Sequence, residues 1–241
     1  LLAQEHRVAV QNPKESTVII SDFYDKLPIE GYAGNEIVIT ASGGEFGNPP
    51  ERAKGLKAIY PGGTDNTGLG VSVEQSGNEI QIKCLAPITH HEGSYRIKVP
   101  ESVALRIESG CERDNSVEID NMKNEVEVNV CQGIRLRNVS GPVVLSSISG
   151  DIDVAFGQLS GSRAMSIAAI SGEVDVILPA KAPVNLEMSN VSGNMYSDFE
   201  FNQDHQDLHR VGGNSISAKL NGGGADLKIT NVSGNIYIRK G

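Results

Sequence analysis

Between Val143 and Lys240 one short phrase keeps returning: apolar-x-apolar-x-x-apolar-Ser-Gly-x-apolar-x-apolar. Its anchoring glycines are Gly150, Gly172, Gly193, Gly213 and Gly234, separated by 22, 21, 20 and 21 residues. A period of this length means stacked structural units rather than an ordinary globular core.

Aligned on those glycines, the other columns hold their chemistry. Two residues before the glycine stand Ile148, Ile170, Val191, Val211 and Val232; five before stand Leu145, Ile167, Met188, Leu208 and Ile229. Two after stand Ile152, Val174, Met195 and Ile236, joined by Ile216 when the fourth copy carries one extra residue. Four after, with the same slip, stand Val154, Val176, Ser197, Ala218 and Ile238. The fourth copy has lost the serine (Val211-Gly212-Gly213) but keeps the apolar columns, so the repeat preserves burial and all these columns are expected to face one interior.

Within each copy apolar and polar residues alternate, the period-2 signature of strands with one buried face, which excludes a helix. Ser-Gly supplies a sharp corner, because glycine adopts positive φ at little cost. A looser set of corners falls half a period away, at 141, 157–161, 179–183, 200–207 and 221–224. A unit of this size cannot bury its inner face alone, so neighbours must stack strand on strand. The expected architecture is all-β, a parallel β-solenoid of about 21 residues per rung; a β-sandwich with regular turns is the competing arrangement.

The 241 residues read as one continuous solenoid, with irregular N-terminal rungs over 1–102 and regular rungs over 103–241. Strands are expected at 8–10, 17–20, 36–39, 70–73, 79–82 and 95–99, then around Val103–Ile107, Val117–Ile119 and Val126–Val128. A Gly/Pro-rich insertion over 42–70, with a helical turn near 51–56, leaves the stack at a corner, where solenoids carry caps or function. Twenty-seven glycines, 5% aromatics and no tryptophan suit a narrow aliphatic interior.

A net charge of −9 argues against a nucleic-acid surface. No apolar run approaches the roughly 20 residues of a membrane span. The opening Leu1-Leu2-Ala3-Gln4 fits either the stump of a secretory signal or an ordinary terminus. Cys84, Cys111 and Cys131 are too few for a disulfide scaffold. Cys111 and Cys131 lie 20 residues apart, about one rung, so they could face each other; buried thiols are the preferred reading.

No motif assembles a catalytic centre. His90-His91-Glu92 lacks a third ligand, and its neighbours on a strand would point to opposite faces, so it reads as a solvated loop. His205 and His209, with Asp204 and Asp207, have a helical spacing but enter a strand whose core columns are Leu208 and Val211. Asp151 with Glu173, and Asp153 with Asp175, form two stacked carboxylate columns that would hold a cation or raise one another's pKa. The columns lapse into Asn194, Ser215 and Asn235, and into Tyr196, Ser217 and Tyr237, with no Arg or Lys interrupting them, so a polar outer face is expected. The sequons at Asn138, Asn190 and Asn231 coincide with corners, where turn hydrogen bonding accounts for them. No catalytic residue, metal ligand or cofactor is assigned.

The phrases Asn138-Val139-Ser140-Gly141-Pro142-Val143, Ser149-Gly150-Asp151-Ile152-Asp153-Val154, Ser171-Gly172-Glu173-Val174-Asp175-Val176 and Ser192-Gly193-Asn194 resemble a bacterial family labelled putative adhesin, built from Ser-Gly-Asp-type repeats. The resemblance covers roughly 103–239 well and the N-terminal part weakly. It implies a right-handed, single-stranded β-helix exported to the cell envelope or surface, and brings no catalytic residues. The function expected is therefore non-enzymatic: an adhesion or structural module whose partner is a surface glycan or matrix protein. A polysaccharide lyase or hydrolase on the same scaffold, and a scaffold polymerising through its solenoid ends, are the alternatives.

Overall fold

A computed structural model describes residues 3–24, 26–43, 51–56, 59–85, 93–111, 116–159, 163–200 and 214–241. The N-terminal strands are β1 (Gln4–Ala9), β2 (Thr17–Ser21), β3 (Leu27–Tyr32), β4 (Glu36–Gly43), the short β5 (Ile59–Tyr60) and β6 (Gly63–Thr64), β7 (Val71–Ser76), β8 (Glu79–Cys84) and β9 (Gly93–Pro100). The middle holds β10 (Ala104–Glu108), β11 (Val117–Asp120), β12 (Val126–Val130), β13 (Ile134–Val139), β14 (Val143–Ser149), β15 (Ile152–Phe156), β16 (Met165–Ser171) and β17 (Val174–Leu178). The chain ends with β18 (Val184–Ser192), β19 (Met195–Ser197), β20 (Asn214–Leu220), β21 (Ala225–Ser233) and β22 (Ile236–Lys240). The expected N-terminal strands are all present; β3 was not anticipated, and the helical turn is a 3-10 turn at Glu51–Ala53.

Two 10-stranded sheets carry the fold, one ordered β1-β4-β9-β3-β11-β13-β15-β17-β22-β19, the other β20-β18-β21-β16-β14-β12-β10-β2-β8-β7. Each coil gives one strand to each sheet, and successive coils pair in parallel, as between β12 and β14 and between β13 and β15. This is the solenoid, with two faces and a core between them. Partners lie 21 residues apart at Leu105↔Val126, 17 at Val126↔Val143 and 22 at Val144↔Ser166, so coil length varies at the looser corners while the register holds.

The interior is mainly aliphatic. Strands such as β15 and β17 alternate buried and partly exposed residues, and a continuous buried cluster runs from Val10 to Ile238. Burying each such side chain contributes roughly 1.5–3 kcal/mol. Ile152, Val174 and Ile236 are 0% exposed and follow one another in register, with Met195 next to Ile236.

The order of that column departs from chain order. β21 and β22 are inserted between the β16/β17 coil and the β18/β19 coil, so the fifth copy of the repeat lies between the second and the third. Ile216 is not in the column: it sits on β20, which runs antiparallel to β18 in the other sheet opposite Met188. The fourth copy is thus an edge strand rather than a coil. Its corner at Gly213 and its Leu208 and Val211 lie outside the described residues, as do 86–92.

The corner glycines are required twice over. Gly150, Gly172, Gly234 and Gly193 have φ of 142°, 126°, 123° and 133°, conformations that L side chains rarely adopt. They also stack directly: a Cβ on Gly172 would strike the carbonyl of Gly150, one on Gly234 that of Gly172, and one on Gly193 that of Gly234.

Candidate functional site

The corner built around those glycines, on the last four coils, gathers the most distinctive side chains of the surface. On the sheet side, three residues before each glycine, the inward column reads Ser147, Ala169, Asn231 and Asn190 in stacking order. Asn231 Nδ2 donates to the Gly172 carbonyl at 3.0 Å and Asn190 Nδ2 to that of Gly234 at 2.9 Å, tying each corner to the next coil. Both asparagines are buried, at 2 and 0% exposure, so the sequons at Asn231 and Asn190 are closed to glycosylation in the folded chain. Their Oδ1 atoms have no hydrogen-bond partner among the described residues. Asn138 is exposed, at φ 53°, and its Nδ2 donates to Asn121 Oδ1 at 2.8 Å.

One residue closer to the glycine, the expectation of burial fails. Ile148, Ile170, Val232 and Val191 are 46, 54, 48 and 58% exposed. Strand parity gives the reason: with residues five and three before the glycine pointing inward, the residue two before must point outward. The result is an aliphatic ridge on the outside of the corner. Val211, the fifth member of this column in sequence, lies outside the described residues.

Beyond the glycine the turn carries Asp151, Glu173, Asn235 and Asn194. Asp151 Oδ1 accepts the Glu173 N–H at 2.8 Å and Asn235 Oδ1 accepts the Asn194 N–H at 3.0 Å, so these side chains cap the corner of the neighbouring coil. Glu173 Oε1 also accepts from Tyr237 Oη at 3.1 Å and from Asn235 Nδ2 at 3.3 Å.

Two residues further on, the outer face of the other sheet carries Glu118, Arg135, Asp153, Asp175, Tyr237 and Tyr196 in ladder order. Contrary to the sequence expectation, basic residues do enter this column and the one beside it. Arg135 donates to Asp153 Oδ2 through Nε and Nη2, at 3.1 and 3.0 Å, and through Nη1 to Glu118 Oε1 at 3.1 Å. Arg239 Nε bonds both oxygens of Asp175 at 2.9 Å, and Arg137 Nε bonds Asp120 Oδ1 at 2.7 Å. Lys26 Nζ lies 2.9 Å from Glu118 Oε1; its hydrogen bond and charge, with the two nearby arginines, hold the Glu118 carboxyl below its ordinary range. Asp153 and Asp175 are adjacent, as expected, but each is taken up by an arginine. The aligned columns do not show this, because Arg135 lies 18 residues before Asp153 on a coil outside the aligned repeats, and Arg239, 64 residues from Asp175 in the last copy, stands one residue past the aligned columns on a coil that chain order does not place beside Asp175.

The ladder ends in aromatics. Tyr196 and Tyr237 stack with centroids 5.3 Å apart and planes 13° from parallel, and the Arg239 guanidinium sits 5.2 Å from the Tyr237 centroid. Among the described residues β19 is the last strand of its sheet, and Tyr196 is 50% exposed.

Residues 87–239, more than half of the chain, match the family model described as Toastrack DUF4097. The chain belongs to this family. The Ser-Gly corners, the ridge and the tyrosine pair all fall within the Toastrack segment. A solved structure of a putative cell adhesion protein from Clostridium sporogenes ATCC 15579 is similar at 13% identity and a TM-score of 0.47, covering 100% of both chains. One of a putative adhesin from Bacteroides fragilis NCTC 9343 is similar at 10% identity and a TM-score of 0.38, covering 99% of this chain and 97% of that one. No curated protein matches the chain.

Cys111 and Cys131 are joined in a disulfide, with Cα atoms 5.1 Å apart, which corrects the preference for separate thiols; Cys84 is buried elsewhere. The bond ties the chain just after β10 to the chain just after β12, one coil on. His90, His91 and Glu92, and Asp204, His205, Asp207 and His209, lie outside the described residues. Among the described residues no three His, Cys, Asp or Glu side chains are grouped to hold a metal ion, and no helix is long and apolar enough to cross a membrane.

Proposed function

We propose that this chain is an exported, non-enzymatic adhesion module of the bacterial cell surface or envelope, its coils wound in the right-handed sense usual for parallel crossovers. The observation that carries the reading is the aromatic end of the outer-face ladder. An exposed tyrosine face, with Glu173, Asn235, Asp198 and Arg239 close by, combines an apolar plane with hydrogen-bonding groups of both kinds. That combination suits the C–H face and hydroxyl rim of a surface sugar. The disulfide supports export, since such bonds persist in oxidising compartments.

The non-enzymatic reading is supported by the engagement of the carboxylates: Asp153, Asp175 and Asp120 are paired with arginine, and Asp151 is spent on a backbone N–H. Binding of the purified chain to an array of bacterial and host-surface glycans and to matrix proteins tests the proposal. Wild type is expected to retain a defined glycan or matrix ligand, and Tyr196→Ala to weaken it about tenfold, the loss of one stacked ring contact. A wild-type chain that binds nothing on either surface, or a Tyr196→Ala variant that binds as well as wild type, refutes it.

A further inference from the structure

The aliphatic ridge has no role in the core. Ile148, Ile170, Val232 and Val191 occupy four successive coils, as the flanking pairs Ser147↔Ala169, Ala169↔Asn231 and Asn190↔Asn231 show. A solvent-facing position under no constraint would be expected to take polar residues in some copies of the repeat, yet every one of these is a β-branched aliphatic. Together they form a straight apolar strip on the order of a few hundred Å², the size at which an exposed patch marks an interaction site.

We infer that this ridge is a lateral self-association surface, packing against the same ridge of a second copy of the chain. The pitch selects the occupant. The four side chains repeat at the separation of stacked strands, about 4.7–4.9 Å, and a partner with the same pitch seats every one of them in register. A second copy supplies that pitch and the same aliphatic side chains. A lipid surface has no such repeat, and the net charge of −9, with Asp151 and Glu173 on the adjoining turn, works against an anionic one.

The flanks agree with a parallel pair. On the sheet side the next outward column is Ser146, Ala168, Thr230 and Ser189, short side chains that let a neighbour approach; on the turn side stand Asp151, Glu173, Asn235 and Asn194. A two-fold axis along the stack sets the carboxylate flank of one copy against the hydroxyl flank of the other. The opposite orientation would bring carboxylates together, so it is disfavoured. The ridge alone falls short of the roughly 800 Å² per partner of a standard stable interface, so the pair is weak, with a dissociation constant in the micromolar to millimolar range.

Sedimentation equilibrium of the full chain over that concentration range tests the inference without any ligand, so its outcome is separate from that of the adhesion reading. Wild type is expected to pass from monomer to dimer. Ile170→Asp and Val232→Asp should each weaken dimerisation at least tenfold while leaving the thermal melt in place, because both side chains are about half exposed. As a second measurement, Ile170→Cys should form an intermolecular disulfide under mild oxidation, faster than Ser76→Cys on the far end of the molecule. A wild-type chain that stays monomeric throughout, or Asp variants that dimerise as wild type does, overturns the inference. Dimerisation lost in Ser197→Pro, at the β19 edge, but kept in Ile170→Asp would assign association to the solenoid end and overturn it equally.

Discussion

At its N-terminal end the solenoid is covered on both sheets; at its C-terminal end, among the described residues, it is covered well on only one. Both ends use the same device, in which the chain skips a place, runs outward and comes back with another coil. At the N-terminus β8/β9 lies outside β2/β3, with β4 and then β1 antiparallel beyond β9, and β7 antiparallel beyond β8. At the C-terminus β20 runs antiparallel beyond β18, but the other sheet stops at the three residues of β19. Antiparallel caps turn an open parallel edge into one set at a different register, which discourages runaway stacking. The thick cap carries aliphatic burial and the thin one carries exposed aromatics, so stability is concentrated at one end and contact chemistry at the other.

The most damaging test of this contrast puts a charge into each end. Ile39, in β4, is 0% exposed, and Ile39→Asp buries an unpaired carboxylate at an expected cost of about 4 kcal/mol or more. Met195→Asp, at the partly exposed C-terminal edge, should cost about 1 kcal/mol, since the carboxylate can reach water. Urea titrations of the two variants check the ranking; equal losses would mean the C-terminal end is as closed as the other.

Next in size is the disulfide, which belongs to neither end. With Cys111 and Cys131 separated by 20 positions, Cys131→Ser is expected to lower stability by about 3 kcal/mol through the freedom it returns to the unfolded chain. Reduction of wild type should move the denaturation midpoint by the same amount and have no effect on the variant.

Asp65 gives the N-terminal cap a hub. Its carboxylate, 8% exposed, accepts Thr67 N–H and Gly68 N–H at 2.9 Å and Thr67 Oγ1 at 3.0 Å on one oxygen, and Gly70 N–H at 2.9 Å on the other. Tyr95 Oη then donates to the Leu69 carbonyl at 2.6 Å, pinning the loop to β9. Asp65→Ala should cost about 2–3 kcal/mol, as expected for loss of hydrogen bonds to a charged group. Amide exchange should quicken over residues 67–73 and remain unchanged on β21; uniform quickening would show that the ends are not independent. Tyr196→Ala, by contrast, should cost only about 1 kcal/mol from the lost stack, so its large effect on binding would not be a folding effect.

The interior was legible in the sequence because burial repeats: the columns through Leu145 and through Ile152 were assigned inward, and Leu145, Ile167, Ile229 and Met188 are all buried. Three things were not. The order of the coils was hidden, because a column of like aliphatics reads the same whichever coil lies next. The ridge is hidden because apolar character alone does not report burial; strand parity from Leu145 to Ile148 turns it outward. The arginines that engage Asp153 and Asp175 are hidden because partners across a solenoid are set by three-dimensional register: the glycine alignment does not extend to β13, which carries Arg135, and chain order does not bring β22, which carries Arg239, beside β17.

The smallest expected effects are those of pH, and they also distinguish regions. Glu118 sits mid-stack with its carboxyl held down, principally by the hydrogen bond from Lys26, so it binds protons less readily folded than unfolded. Its contribution to stability is complete above the ordinary value near 4.5 and is lost as pH falls through the lower folded value. Tyr95, at the N-terminal cap, has its phenol pushed up, first by burial and then by Cys84 beside it. Its contribution is complete below the ordinary value of 10 and declines as pH rises beyond it, because only the unfolded chain ionises readily there. Stability measured against pH should therefore lose its acid limb in part in Glu118→Gln and its alkaline limb in Tyr95→Phe. If the alkaline limb belongs to the N-terminal cap, protection from exchange, with the base-catalysed intrinsic rate divided out, should fall in β7 and β9 as pH rises toward and past 10 before it falls in β21; a simultaneous fall would mean that base unfolds the solenoid as a unit.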